Sequence, residues 1–193
     1  MSDDKLRLFT AVCVPGAQLR WLHAAVAGAK ASVDARWTSV GDQHVTLNFL
    51  GWIPGGDLAE VIAALDVVAA RHSRADASIS GLGAFPRLRR ARVLWAGIDD
   101  PEELLPALAE DLGRELRAVG YVPEDRGFTP HLTLARLKTP RSLEGALPEL
   151  PASSDRFAVD RITLFRSRLA PSGARYEILH EAYLRADDAT LSQ

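Results

Sequence analysis

A four-residue motif that occurs twice constrains this chain more than any other feature. Residues 44–47 read His-Val-Thr-Leu, and residues 131–134 read His-Leu-Thr-Leu. Both copies lie in segments where polar and apolar residues alternate, which is typical of a β-strand because successive side chains point to opposite faces. Each copy is therefore predicted to present one imidazole and one hydroxyl on one face of the strand and apolar side chains on the other.

The alternation assigns a face to each neighbouring residue. In the first copy, His44 and Thr46 are predicted on one face, and the other face carries Val45, Leu47 and Phe49. The second copy repeats this division, with its histidine and threonine on one face and its leucines on the other. Phe49 is accordingly predicted to pack in the core.

The sequence around the motif also repeats. An apolar strand, Pro15 and a helical segment precede His44, and another strand, Pro101 and a helical segment precede His131. The two prolines are separated by almost the same number of residues as the two histidines. This spacing predicts a strand–helix–strand unit used twice, in two lobes related by a pseudo-twofold axis. The two histidine strands would then face each other where the lobes meet.

Periodicity predicts the remaining elements. Strands are expected over residues 5–14, 77–85, 92–98, 128–137, 157–165 and 175–184, and helices over 17–30, 58–68 and from 101 to about 116. Asp57 with Glu60, and Asp100 with Glu103, are predicted to form capping boxes, with Pro101 at a first helical position. The expected fold is α+β, with residues 1–185 as one bilobal domain and 186–193 as a frayed tail.

Composition limits the classes of function. The 193 residues carry a net charge of −2, so a nucleic-acid substrate is expected to be held at one end or one phosphate rather than along its length. No apolar run approaches the roughly 20 residues of a membrane span, and the acidic N-terminus lacks a signal-peptide pattern. A cytoplasmic protein without membrane contact is predicted. The single cysteine excludes an internal disulfide.

Two histidines and two threonines around one cavity provide groups for cleaving a phosphodiester. With ordinary pKa values near about 6.5, one imidazole can be neutral and accept a proton while the other is charged and donates one. The hydroxyls of Thr46 and Thr133, with a nearby arginine, could bind the non-bridging oxygens. This reasoning is symmetric in the two histidines. No His-x-His or His-Glu-x-x-His pattern is present, so neither a metal nor another cofactor is expected.

At these motifs the chain resembles the 2H phosphoesterases, and within them the RNA 2′,3′-cyclic phosphodiesterases, also called 2′-5′ RNA ligases. The matching stretches are residues 44–51, 92–97, 128–136 and 165–176. The resemblance implies a bilobal α+β fold with antiparallel sheets around a central cleft. It also implies metal-independent hydrolysis of a terminal 2′,3′-cyclic phosphate to a 2′-phosphomonoester, with His44 as proton donor and His131 as proton acceptor.

Further residues are candidates for substrate binding. Arg126 and Arg136 flank the second motif and could hold phosphate, Lys138 less so, and Phe128 could stack on a base. The arginine-rich residues 87–92 could contact RNA backbone or form a solvated turn. No catalytic role is predicted for the other histidines.

Alternative functions stay open at this point. The expected partners are RNA 3′ ends or small cyclic-phosphate nucleotides, bound by a monomer. A module that binds nucleotides or RNA ends without turnover would use the same cleft. Ligation of 2′-5′ linkages, the reverse reaction, is a third possibility.

Overall fold

The computed structural model describes residues 5–122, 127–150, 153–170 and 173–186. Arg126 and all but the first residue of the predicted tail lie outside these ranges, so the predictions made for them stay predictions. Within the ranges, no helix has the length and hydropathy needed to cross a bilayer.

Strands are the most abundant elements of the described structure. The nine strands are β1 (Lys5–Cys13), β2 (Arg36–Trp37), β3 (His44–Pro54), β4 (Ala75–Phe85), β5 (Ala91–Asp99), β6 (His131–Arg141), β7 (Phe157–Val159), β8 (Arg161–Ala170) and β9 (Gly173–Tyr183). The four α-helices within the described residues are α1 (Gly16–Ala25), α2 (Ala27–Ser32), α3 (Leu58–Ala69) and α4 (Leu104–Glu115). The helix predicted over residues 17–30 is divided at Val26, whose backbone leaves the helical region while its side chain stays buried.

All nine strands belong to one sheet, in the order β7-β4-β5-β6-β3-β1-β8-β9, with β2 beside β6. Every pairing between these strands is antiparallel. The two motif strands, β3 and β6, are central neighbours, joined by the single pair Val45↔Leu132. Helices α3 and α4 pack on each other, α4 contacts β3, and α3 contacts β8 and β9. The predicted α+β class is confirmed.

The sheet divides into two halves that repeat each other about the β3–β6 pair. One half runs β3-β1-β8-β9 and the other runs β6-β5-β4-β7. Cys13 on β1 lies opposite His44, and Gly97 on β5 lies opposite His131. The repeat read from the sequence thus reappears as equivalent strand registers. One continuous apolar core underlies both halves.

A β-bulge in each motif strand corrects the predicted faces. Thr10 and Ala11 are consecutive on β1, but their partners on β3 are Asn48 and Thr46, so Leu47 is the extra residue. The alternation is reversed beyond it, which brings Phe49 to the face of His44. Phe49 is 41% exposed, and its prediction as a core residue is wrong. The same irregularity at Leu134 on β6 brings Arg136 to the face of His131.

Buried hydrogen bonds hold the first bulge. The Asn48 backbone N–H donates to the Thr10 hydroxyl at 3.1 Å, and the Asn48 side-chain amide donates to the Ala109 carbonyl on α4 at 3.1 Å. Both Asn48 and Thr10 are buried. The bulge is therefore anchored to a helix through polar contacts that are shielded from water.

The helix starts differ from the predicted capping boxes. Asp57 makes no side-chain cap to α3, because a turn of 3₁₀-helix over Gly55–Asp57 precedes the helix and takes Asp57 out of the extended conformation of a cap. Asp100 does cap α4, since its carboxylate accepts the Leu104 and Leu105 N–H groups at 3.2 and 2.7 Å. The chain turns between Asp100 and the helix, so Pro101 lies before α4 and Glu103 does not complete a box.

Replacing Thr10 by valine is expected to destabilise the fold by about 1–3 kcal/mol, because the buried Asn48 N–H loses its acceptor. Equilibrium urea unfolding measures the change. Thr163→Val is the matched control: Thr163 is equally buried and pairs with Ala11, but within the described ranges its hydroxyl has one hydrogen-bond partner, the Cys13 thiol at 3.8 Å. Equal losses for the two variants would show that the Thr10 hydroxyl has no special role at the bulge.

Candidate active site

A cavity of about 190 Å³ lies over the junction of β3 and β6. Its walls come from β1, β3, β6, β9 and the segment between β2 and β3. The residues that line it are Arg7, Phe9, Thr38, Asp42, Gln43, His44, Thr46, Phe49, His131, Thr133, Arg136 and Tyr176.

The central strand pair brings the four motif side chains together. Val45 pairs with Leu132 in antiparallel order, so His44 lies on the Thr133 side of this pair and Thr46 lies on the His131 side. All four side chains line the same cavity.

Strand β6 pairs with β3 at Leu132 and with β2 further along. Beyond Leu132 it pairs with β2, through Trp37↔Ala135, and the Thr38 N–H donates to the Leu134 carbonyl at 2.8 Å. The Gln43 side-chain amide donates to the Thr133 carbonyl at 3.4 Å. Because β3 and β6 share only one pair, the strands separate and leave the space that the cavity occupies.

His131 has a defined tautomer. Its Nδ1 lies 2.7 Å from the Thr129 carbonyl oxygen, which can only accept, so Nδ1 carries the proton and Nε2 carries a lone pair. Burial lowers the pKa of His131, and the Arg136 guanidinium lowers it further. The hydrogen bond to Thr129 acts in the opposite direction but does not reverse the shift.

His44 is held in a similar way, by a hydrogen bond to the backbone of Asp42, which lies two residues before it. Burial lowers the pKa of His44 to about 4, against the raising effects of a hydrogen bond to the Asp42 backbone and of the Asp42 carboxylate. The charge on His131 would lower it further. Both imidazoles are therefore neutral at pH 7 in the protein alone, whereas the sequence predicted one neutral and one charged.

Aromatic side chains surround each histidine and explain this loss of hydration. His44 stacks on Phe9 at 4.8 Å between ring centroids, and Tyr176 meets it edge-on at 5.2 Å. His131 is met edge-on by Phe85 at 5.0 Å. Rings in contact with an imidazole exclude water from it, which penalises its charged form. They also fix the orientation of the ring over the cavity.

Two arginines supply positive charge to the cavity. Arg136, which was predicted as a candidate for holding phosphate, lines the cavity. Strict alternation counted from His131 would have placed this residue on the core face. Arg7 was missed by the sequence reasoning. Its guanidinium lies 4.5 Å from the centre of the Phe49 ring and donates to the Ser167 hydroxyl at 2.9 Å. The signal was available, because Arg7 alternates with the core residues Leu6 and Leu8 on the first strand.

The remaining candidates lie elsewhere. Phe128 packs against the apolar core and is not among the residues that line the cavity. Lys138 is exposed on β6 beyond the cavity. The other histidines do not line the cavity: His72 contacts Asp111 and His180 contacts Asp66, while His23 contacts the side-chain amide of the cavity residue Gln43. In the ranges that the structure describes, no three His, Cys, Asp or Glu side chains converge as a metal site would require.

The chain matches a known protein family over most of its length. The family model of the 2′-5′ RNA ligase superfamily matches residues 22–170, which include both histidine motifs. An RNA 2′,3′-cyclic phosphodiesterase of Geobacillus stearothermophilus is 34% identical over 146 residues, covering 74% of this chain and 46% of that protein. The chain thus matches about half the length of this relative.

Two further matches cover more of the compared protein. An RNA 2′,3′-cyclic phosphodiesterase of Aeropyrum pernix is 34% identical over 142 residues, which are 72% of this chain and 80% of the relative. A crystal structure of a protein from Thermus thermophilus superimposes with a TM-score of 0.78 at 28% identity, covering 94% of this chain and 100% of that one.

The buried, uncharged state of His44 can be tested by NMR titration of the imidazole signals. The His44 pKa is expected near 4 in the protein alone, and added sulfate is expected to raise it because a bound anion stabilises the imidazolium. His44→Asn identifies the signal. A His44 that titrates in the ordinary range of free histidine, or one that sulfate leaves unmoved, would contradict the description of the cavity.

Proposed function

The chain belongs to the 2′-5′ RNA ligase superfamily, and from this membership we propose that it hydrolyses the 2′,3′-cyclic phosphate at the end of an RNA strand. The product is a 2′-phosphomonoester, formed without a metal ion by the two histidines. The observation that carries the proposal is the convergence of His44, Thr46, His131 and Thr133 on one cavity beside the Val45–Leu132 pair.

Each group has a step in this hydrolysis. The Nε2 lone pair of His131 takes a proton from water as the water oxygen attacks phosphorus. The bond from phosphorus to the ribose 3′ oxygen breaks, and His44 gives that oxygen a proton. The hydroxyls of Thr46 and Thr133 donate to the non-bridging oxygens, whose charge Arg136 and Arg7 stabilise.

The direction of proton transfer rests on two differences between otherwise equivalent strands. Two residues before the histidine, the first strand has Asp42 and the second has Thr129. Five residues after the histidine, the first strand has Phe49 and the second has Arg136. The carboxylate of Asp42 favours a charged His44, and the guanidinium of Arg136 favours a neutral His131. Both differences make His44 the donor and His131 the acceptor.

Substrate binding supplies the charge that the protein alone lacks. A phosphodiester anion in the cavity favours protonation of either histidine, and burial strengthens that attraction. Because Asp42 adds a negative charge beside His44 while Arg136 opposes a positive charge on His131, the incoming proton is expected on His44. The enzyme is then in the protonation state that the reaction needs.

The rim of the cavity fits a nucleoside. At about 190 Å³ the cavity has room for the cyclic phosphate and part of its ribose but little more. Phe49 and Tyr176 line it while staying 41% and 37% exposed, so their rings are available for a base to stack on. A terminal nucleotide would thus be held by its phosphate inside and its base at the opening.

His44→Gln and His131→Gln are each expected to slow the reaction by about 10²–10⁴-fold, because each removes one proton-transfer step. The assay follows an oligoribonucleotide ending in 2′,3′-cyclic phosphate in the presence of EDTA, which should not inhibit. His180→Gln, which lies outside the cavity, should leave the rate unchanged. Full activity in either cavity variant would overturn the mechanism. Tight binding without any turnover would favour a binding module instead.

Asp42→Asn is expected to lower kcat several-fold on the alkaline side of the pH optimum and to leave the acid side unchanged. Loss of the carboxylate lowers the pKa of His44, so less of it stays protonated as the pH rises, while His131, which limits the rate at low pH, is not affected. Thr129→Ala is the control, since only the backbone carbonyl of Thr129 contacts its histidine. A uniform loss at every pH would indicate a structural role for Asp42.

A further inference from the structure

The two halves of the sheet differ in how their exposed cations are balanced. Beside the His44 half, β8 and β9 carry four arginines, and two of them are paired: Arg161 with Asp160 at 2.9 Å and Arg168 with Glu177 at 2.8 Å. Beside the His131 half, residues 87–92 and β6 together contain seven arginines and lysines and no acidic residue. Only Arg89 of these seven has an ion-pair partner among the described residues, Glu144.

The unpaired cations lead away from the cavity. Arg136 lines it, and the partner of Arg136 on β5 is Val93, the neighbour of Arg92. Arg141 then lies opposite Ala91, at the far end of β6. Five residues of strand span about 17 Å, so the positive charge extends well beyond the space that one phosphate fills. All of these cations are exposed.

The turn that carries the other arginines has a fixed backbone. Residues Leu88–Arg90 form a 3₁₀ turn, the Arg90 N–H donates to the Arg87 carbonyl at 3.0 Å, and the Leu143 N–H donates to the Leu88 carbonyl at 2.9 Å. Leu88 packs against the core. The arginines on either side therefore project from an anchored base, at positions set by the sheet rather than by a loose loop.

We propose that this basic strip binds the ribose-phosphate backbone of the RNA strand that precedes the cyclic end, so that the chain acts on oligoribonucleotides in preference to cyclic mononucleotides. The basic strip consists of Arg87, Arg90, Arg92, Arg136, Lys138 and Arg141. The inference rests on the proposed function, since it requires the cyclic end to occupy the cavity.

Charge complementarity identifies the occupant. The whole chain has a net charge of −2, so a group of exposed cations without ion-pair partners among the described residues is a local property and not a consequence of a basic protein. Arginine and lysine contact phosphates without reading bases, and the strip offers no aromatic ring for stacking. It therefore fits a backbone of phosphates in any sequence. Among the described residues of the half that contains His44, two of the four arginines on β8 and β9 are paired with carboxylates, so the RNA strand is expected to leave the cavity along the basic strip.

Kinetics on substrates of increasing length test this inference. The value of kcat/KM is expected to rise about tenfold from adenosine 2′,3′-cyclic monophosphate to a tetranucleotide with the same cyclic end. Each added phosphate contact should steepen the fall of log(kcat/KM) with log salt concentration by about 0.7.

The double variant Arg90→Gln/Arg92→Gln should lose most of the rise in kcat/KM with substrate length. Its slope of log(kcat/KM) against log salt concentration should be shallower by about 1.4. Its turnover of the cyclic mononucleotide should be unchanged, which also shows that it folds. The matched control is Arg168→Gln/Arg175→Gln on the other half, which should behave as the unaltered protein does.

A kcat/KM that is independent of length, or equal losses in the strip and control variants, would overturn the strip as an RNA-binding surface. Failure of the proposed function looks different, because then no cyclic phosphate of any length is hydrolysed. In that case fluorescence anisotropy with a labelled tetranucleotide still decides the inference. Weaker binding by the strip variant alone would support it, and equal binding by all three proteins would overturn it.

Discussion

The site depends on one strand pairing, between β3 and β6 at Val45 and Leu132. A longer ladder would close the sheet and leave no space between the strands, and no pairing at all would leave the two motifs unrelated. A single pair fixes their register, because shifting one strand by a residue would turn its histidine and threonine into the core. The apolar residues at the pair are completely buried, so the same contact that joins the halves holds the reactive side chains on the opposite face.

Burial around the histidines has two opposed consequences. Aromatic contacts remove water and hold the rings in place, but they also keep both rings uncharged near neutral pH. A cavity that resists positive charge on its histidines gains most when an anion arrives, since the ion pair then forms where water cannot screen it. Under the proposed function, protonation and substrate binding are therefore linked, and each favours the other.

Much of the fold and the motif residues could be predicted from the sequence, whereas the shape of the cavity could not. Strict alternation located most strands and gave the faces of His44 and His131 correctly. It failed at Phe49 and hid Arg136, because each motif strand contains a bulge that reverses the alternation beyond it. The capping box at Asp57 failed for a related reason, since a local turn preceding the helix is decided by backbone geometry. The alternation of Arg7 with Leu6 and Leu8 indicated its face, but placing it at the cavity also required knowing that β1 lies beside β3.

The differences between the repeated halves explain more of the chemistry than their similarity does. A strictly twofold site would give both histidines the same surroundings and leave proton transfer without a direction. Here the position relative to each histidine makes Asp42 equivalent to Thr129, and the strand register makes Phe49 equivalent to Arg136, so each change adds charge on one side only. The positive charge of Arg136 then continues along β6, whereas Phe49 lies beneath Arg7, whose side chain is also bonded to Ser167. In the proposed mechanism, the same departure from symmetry therefore distinguishes the acid from the base, and it also distinguishes one side of the cavity from the other.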